Sequence, residues 1–374
     1  PSELRRLNMI KPQQMPYETH MEESIDSGRF EEVMDLSLHH SDWKGFDARR
    51  KISRKSGKLR GRGIGCYIEW TGSELNETVN IVAEASGRIR LFSGTQPMGQ
   101  GIATSYMQIF SEKLEVPVEQ LNLIQGDTDL VEGHGSVGSR SLFVGGNAII
   151  RGTEDFLNEC RKLAAKELEV SEDDLVYQEG MFYVKGTHVG IGLFEICAHQ
   201  PGGEIAVKSK KELTGRSWPN GCHIAEVEID PETGLVCLER YTSIDDVGNA
   251  VNPMIVDGQI HGGIASGLGQ AVLERTEYDS TGQLLTGSYM DYALPRADDF
   301  PKLSGILFED APCLTNPLGA KGSGEIGAVA GPPAIVHAVL DALAERGITK
   351  IDMPLYPQKI WEVLNQAKPN ENIE

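Results

Sequence analysis

Apolar positions along this chain recur with two different periods, and the switches between them outline its elements. The stretches GIGCYIEW (63–70) and TVNIVAEASGRIRLFSG (78–94) alternate as strands do, with a turn at Ser86 and Gly87. IATSYMQIFSEKL (102–114) then brings Ile102, Tyr106, Ile109 and Phe110 onto one helical face. A strand follows within VPVEQLNLIQGDTD (116–129), then a long helix over 142–169 and a hairpin over 175–189. HIAEVEID, the turn PETG and VCLERYTSIDDVG form a second hairpin. Residues 256–279 read as a helix studded with glycines. PPAIVHAVLDALAERG (332–347) reads as the clearest helix, with Pro332 and Pro333 in its first turn. Its apolar stripe is Ile335, Val336, Val339, Leu340 and Leu343, and Gly347 ends it. Before Gly57 there are short helical patterns such as FEEVMDLSL (30–38) and no strand alternation. The pattern predicts an α+β fold in three stretches: a helical connector over 1–57, a subdomain over 58–218 and a second over 219–374.

Two glycine-rich turns interrupt this pattern at telling places. TQPMGQG (95–101) joins a strand to a helix, and GHGSVGSRS (133–141) opens the long helix. Such turns leave backbone N–H groups free at the positive end of a helix dipole, which suits an anion. On spacing alone each reads as a tight turn sooner than as a binding site. MGQG lacks the third glycine and downstream acid of a dinucleotide fingerprint, and GSVGSRS lacks the lysine of a P-loop. Ser139 and Ser141 do not sit in a G-x-S-x-G elbow, so their hydroxyls read as anion donors. Two such loops together suggest an extended, polyanionic cofactor. A third segment, NPLGAKGSGEIGAVAGPPA (316–334), sets one carboxylate, Glu325, in a loop among small residues.

Composition narrows the chemistry. The chain has 374 residues, 40% hydrophobic content and a formal net charge of −20, which argues against nucleic acid as a bulk partner. One basic run, RRKISRKSGKLRGR (49–62), reads as a docking patch or as a solvated helix end with a linker. The cysteines, Cys66, Cys160, Cys197, Cys222, Cys237 and Cys313, form no C-x-x-C pair, so this chain alone holds no zinc ribbon or iron–sulfur cluster. The histidines are scattered without metal-ligand spacing, and a metal would have to arrive on an organic ligand. No apolar run reaches membrane-spanning length and no signal peptide is evident, so the expectation is a cytoplasmic protein without a membrane.

Taken in order, the segments resemble the molybdenum hydroxylases, the family of xanthine dehydrogenase, aldehyde oxidase and aerobic carbon monoxide dehydrogenase large subunits. The matching stretches are PMGQG, GDTD (126–129), GSVGSRSLFVGG, NGCHIAEVEIDPETG (220–234), DDVGNAVNPMIVDGQIHGG (245–263), GSYMDYALPRADD (287–299) and NPLGAKGSGEIGA. The resemblance implies a molybdenum-cofactor-binding fold of two α+β subdomains with mixed sheets. It also implies that molybdopterin is contacted by Met98, Gly99, Gln100 and Gly101 in the first loop. In the second loop the implied contacts are Val137, Gly138, Ser139, Arg140 and Ser141, with Gln259 reaching the pterin. Glu325 corresponds to the family's catalytic glutamate, a base made more effective if burial raises its pKa. The reaction implied is oxidation of an N-heterocycle or aldehyde, with water as the oxygen source.

The same resemblance implies the cytosine dinucleotide form of molybdopterin, and iron–sulfur clusters and FAD on partner chains. The family's large subunit has a preceding half that is not seen here. The chain looks like the second half alone, as a truncated piece or a split subunit, and the missing half is its first expected partner. Ser323 and His134 depart from the usual residues of their segments. A competing reading makes the chain a cofactor-free assembly module, inactive without the first half and dimeric through an exposed apolar face.

Overall fold

The structure, a computed structural model, describes residues 1–366. The N-terminal part contains α1 (Ser2–Asn8), the short pair β1 (Tyr17–Glu18) and β2 (Ser24–Ile25), α2 (Phe30–His40) and α3 (Phe46–Lys55). There follow β3 (Leu59–Ile68), β4 (Asn76–Glu84), β5 (Arg88–Ser93), α4 (Ile102–Leu114), β6 (Leu121–Gln125) and α5 (Asn147–Glu167), the last entered through a wide turn at Ser141–Gly146. Next come β7 (Leu175–Gln178), β8 (Met181–Val184), β9 (Gly190–Gly192), α6 (Leu193–Ala198), β10 (Glu204–Glu212), β11 (Asn220–Ile229) and β12 (Val236–Asp246). The chain then forms α7 (Pro253–Leu268), β13 (Leu303–Phe308), α8 (Ile326–Leu343) and α9 (Pro357–Gln366).

Two mixed four-stranded sheets organise these elements, in the orders β10-β4-β5-β6 and β13-β12-β11-β3. Each combines antiparallel pairs with one parallel pair, β5 with β6 and β12 with β13. The α+β expectation with mixed sheets therefore holds. On the first sheet, α4 and α5 bury Tyr106, Phe110, Ile149 and Phe156 against Val79, Ile81 and Leu91. The second sheet is covered on both faces, by α7 and α8 on one side and by α2 and α3 on the other. That double cover explains why β11 is buried at almost every position. The strand β3, which follows the connector in sequence, lies at the edge of this second sheet, beside β11.

The contact of β3 with α8 is unusually close, and period-two alternation shows why. The strand face turned to α8 carries Leu59, Gly61, Gly63, Gly65 and Tyr67, with glycine at the three central places. A Cβ on Gly63 would lie 1.9 Å from the Ala334 carbonyl oxygen, and one on Gly61 would lie 2.0 Å from that of Ala338. On its other side α8 meets α7 at a second backbone contact, where a Cβ on Gly263 would lie 2.8 Å from the Gly327 Cα. No residue with a side chain fits either crossing.

Two helix boundaries differ from the sequence expectation. The helix α8 begins at Ile326, so Pro332 and Pro333 lie inside it instead of in its first turn. The burial of Ile326, Gly327 and Ala330 outweighs the two backbone hydrogen bonds that the prolines cannot donate. Extended through Arg346, it is long and apolar enough to cross a membrane by length and composition, contrary to expectation, yet it sits in the core. The glycine-studded helix starts earlier, at Pro253, with the Asn252 side chain accepting from the Ile255 N–H at 3.1 Å. It ends by Leu273, before the polar ERTEYD segment.

The basic run is in part a solvated helix end, with Lys51, Arg54 and Lys55 exposed, while the fold engages its other charges internally. Arg49 and Arg60 enclose the buried Glu226 at 2.5 and 2.9 Å. Arg60 also reaches Glu228 at 2.8 Å, Lys58 pairs with Asp230 at 2.6 Å, and Arg54 with Glu345 at 2.7 Å. Arg50 pairs with Asp341, and Arg62 stacks over Trp43 at 3.9 Å. The exposed pairs contribute little, while the enclosure of Glu226 fixes α3 on the sheet.

The glycine crossing yields a direct test. Gly63→Ala forces a methyl group into a backbone carbonyl and is expected to cost about 3 kcal/mol or more, read as a lowered denaturation midpoint with an unchanged slope. An exposed glycine such as Gly258, which has open space where its Cβ would be, serves as the control.

Candidate functional site

Four helix starts meet at one cavity of about 370 Å³. Its wall takes Ile102 and Ser105 from the first turns of α4, Ser141 and Leu142 from the entry to α5, Asn252 and Ile255 from the start of α7, and Glu325 from the N-cap of α8. The four starts bring the positive ends of their helix dipoles near the same space. The cavity thus favours negative charge although no lysine or arginine lines it.

Eight of the residues expected from sequence lie on this wall: Met98, Gln100, Val137, Gly138, Ser139, Ser141, Gln259 and Glu325. Gly99 and Gly101 form the adjoining turn with φ of 91° and 74°, a conformation for which glycine is the natural choice. Gln100 uses its amide within the protein, donating to the Gln96 carbonyl at 3.1 Å and to Ser136 Oγ at 3.3 Å, so it ties the first loop to the second. Met98 and Val137 are exposed apolar side chains on the two loops. Ser323 also lines the cavity, whereas His134 lies behind the loop against Asn76 at 3.2 Å.

Arg140 departs from its expected place. Its side chain is fully buried behind the loop, paired with the equally buried Glu77 at 2.7 Å. It also donates to the carbonyls of Gly135 at 2.6 Å, Asn76 at 2.7 Å and Glu74 at 3.1 Å. The guanidinium spends four of its five N–H donors on holding the loop and faces away from the cavity.

Glu325 departs in one respect. It lies in the bend just before α8, as expected, but it is exposed at the cavity instead of buried. Its segment is nevertheless firmly held. Asn316 is bonded to Asn147 and to the Ala320 carbonyl, both at 3.1 Å, and the buried Lys321 reaches Asp246 at 2.8 Å. Burial pushes Asp246 up from the usual carboxylate range, and Lys321 opposes that shift.

One titratable neighbour escaped the sequence reading. Glu69 continues the face of β3 that carries the three glycines, so the strand delivers it where α8 begins. Ser139 Oγ stands between the two acids, 3.0 Å from Glu69 Oε1 and 2.7 Å from Glu325 Oε2. Burial, then the Glu325 carboxyl alongside, push Glu69 up to about 8, with the Ser139 hydroxyl opposing. Ser139 itself has φ of 54°, a left-handed conformation that a serine holds only when its surroundings fix it.

The molybdopterin cofactor-binding domain family matches residues 37–301. The chain belongs to this family. It is 32% identical to the gamma subunit of a 6-hydroxypseudooxynicotine dehydrogenase complex from Paenarthrobacter nicotinovorans, covering 98% of this chain and 48% of that one. Identity is also 32% to the carbon monoxide dehydrogenase large chain of Hydrogenophaga pseudoflava, with the same two coverages. The crystal structure of quinoline 2-oxidoreductase from Pseudomonas putida 86 superposes with a TM-score of 0.89 at 28% identity, over 98% of this chain and 50% of its own. The chain thus spans about half the length of these relatives.

The cavity fits the cofactor for which the family is named. Its polar groups are hydroxyls, amides and helix N–H groups, suited to a heterocycle with anionic substituents. Among the described residues no three His, Cys, Asp or Glu side chains converge to hold a metal ion, which suits a cofactor that brings its own metal ligands. Three backbone loops with little side-chain bulk give such a molecule room.

Two outcomes follow. Arg140→Met strands the buried Glu77 carboxylate and is expected to cost about 3 to 5 kcal/mol in a denaturation curve, with cofactor retention falling alongside. For Glu69, the unfolded chain loses its proton near 4.5 while the folded chain keeps it to about 8. The folded state binds the extra proton in that window, so this group makes stability fall as pH rises through it. Glu69→Gln removes the cost, and its melting temperature relative to the parent is expected to rise by a few degrees from acid to alkaline pH.

Proposed function

We propose that this chain carries the cofactor-holding portion of a molybdenum hydroxylase, an oxidoreductase that oxidises an electron-poor carbon of an N-heterocycle or aldehyde with oxygen from water. The observation that carries this reading is the position of Glu325. Among the described residues it is the one acidic side chain on the cavity wall, held at a helix start opposite hydroxyl and amide groups. Bound molybdopterin, in this reading as the cytosine dinucleotide, supplies the metal centre that accepts the electrons. The residues of this chain hold it and move a proton. Ser136, Ser141, Asn252 and Gln259 hydrogen-bond its polar edges, and the four helix starts balance its negative charge. Glu325 takes up the proton on the oxygen that Ser139 leaves free.

The substrate class draws on the quinoline 2-oxidoreductase relative, and the names "gamma subunit" and "large chain" support a multi-subunit assembly. Electrons then leave through iron–sulfur and FAD chains, and a complementary half closes the site. A second reading, that the isolated chain is a cofactor-free assembly module, is favoured by the exposure of Met98, Val137 and Glu325 at the cavity mouth.

Co-expression with the partner chains separates these readings. The complex is expected to contain stoichiometric molybdenum, and Glu325→Gln to lower kcat by at least about a hundredfold with molybdenum retained. Normal turnover by that variant overturns the assignment of the base. Stoichiometric molybdenum in the chain purified alone overturns the module reading.

A further inference from the structure

We infer that Glu69 is the proton-holding partner of Glu325, joined to it through the Ser139 hydroxyl, so that a serine-bridged carboxyl pair handles the proton collected at the cavity. The inference rests on Glu325 being the base, and it adds a residue that lies off the cavity wall and acts through another.

Hydrogen counting carries the argument. Ser139 Oγ lies within hydrogen-bond distance of both acids, at 2.7 Å from Glu325 Oε2 and 3.0 Å from Glu69 Oε1. A hydroxyl has one proton and can donate to one of them only. With that proton on the shorter contact, the contact to Glu69 is a hydrogen bond only if Glu69 is protonated and donates to Ser139. The pair therefore holds one proton, located on Glu69, and Glu325 meets the cavity as the acceptor. The surroundings agree, because Glu69 Oε2 is buried without a partner among the described residues, which penalises the ionised form. Glu325 is the charged group that faces Glu69. Arg216 stacks its guanidinium over the neighbouring Trp70 ring at 3.8 Å and pairs through Nε with Glu23 at 3.3 Å, while its Nη1 is buried without a partner among the described residues.

The arrangement gives Glu325 a way to be reset. When it gains a proton at the cavity, Glu69 releases its own to solvent. The Glu325 carboxyl then turns its protonated oxygen to Ser139 and passes the proton to Oγ, while Ser139 passes its own proton to the emptied Glu69 carboxylate. One proton enters at Glu325 and one leaves from Glu69, no electrons move, and the starting state returns. Ser139, with its left-handed backbone, places its Oγ between the two carboxyls. Glu69 is thus a positioning residue for the proton, not a group that touches substrate.

The test does not require a loaded enzyme. In the chain carrying carbon-13 labelled glutamate carboxyls, NMR across pH is expected to show one glutamate titrating near 8, absent in Glu69→Gln. The Glu69 signal is expected to move when Ser139 is replaced by alanine, because the hydroxyl that contacts it is then gone. A Glu69 signal that titrates in the ordinary carboxylate range overturns the inference, as does one that follows the same course in the parent and in Ser139→Ala. In the loaded complex, Glu69→Gln is expected to lower kcat about tenfold with KM unchanged and to flatten the alkaline limb of the pH profile. Full activity with the parent profile overturns the relay. Normal turnover by Glu325→Gln instead removes the assignment of the base, and the coupled titration is then judged on its own readout.

Discussion

The contact on which the structure depends is that of one helix with two backbones. The helix α8 lies between the glycine face of β3 and the glycines of α7, at distances that admit no Cβ. Such crossings are rigid because nothing flexible stands between the elements. Leu, Ile or Phe at these places would let the helix ride up or slide by a rotamer change, and carbonyl oxygens against glycine Cα atoms leave no such freedom. The first residue before α8 is Glu325, so the position of the carboxylate is set by backbone packing deep in the core, not by the loop that precedes it.

The second consequence concerns charge. A protein of net charge −20 presents a cavity suited to an anion without spending a basic side chain on it. Lysine and arginine are flexible, and near an acid that must accept a proton they would bias its protonation state. Helix starts deliver partial positive charge from fixed positions. The arginines of the chain are used elsewhere: Arg140 locks the serine loop from behind, Arg49 pins α3 to the second sheet, and Arg60 shares the same glutamate from within that sheet.

The helices and strands were legible from periodicity because their apolar residues are spaced for one buried face each. The cavity loops were legible because glycine, serine and glutamine cluster at strand-to-helix turns, and eight of the named residues converge as that clustering suggests. What escaped was set by tertiary contacts. The start of α8 was hidden because proline preference points to the first turn, and packing of Ile326 against α7 overrode it. Arg140 shares its segment with true cavity residues, and only the position of Glu77 on β4 shows that it faces away. Glu69 was legible in principle: counting by twos from Leu59 through the three glycines and Tyr67 ends on it, and the helix lying on that face ends at Glu325. Nothing in local spacing links two acids so far apart in the chain.

The glycine face of β3 also bears on how the protein assembles. The strand and the helix that lies on it come from opposite ends of the described chain, so their contact is among the costliest to form in loop entropy and among the last expected to close. It closes only in one alignment. A shift of β3 by a single residue would turn Arg60, Arg62 and Ile64 toward α8, and the helix could not seat. The same stripe of glycines that positions the carboxylate therefore works as a register check, and Glu69, Ser139 and Glu325 come together only in molecules that have passed it.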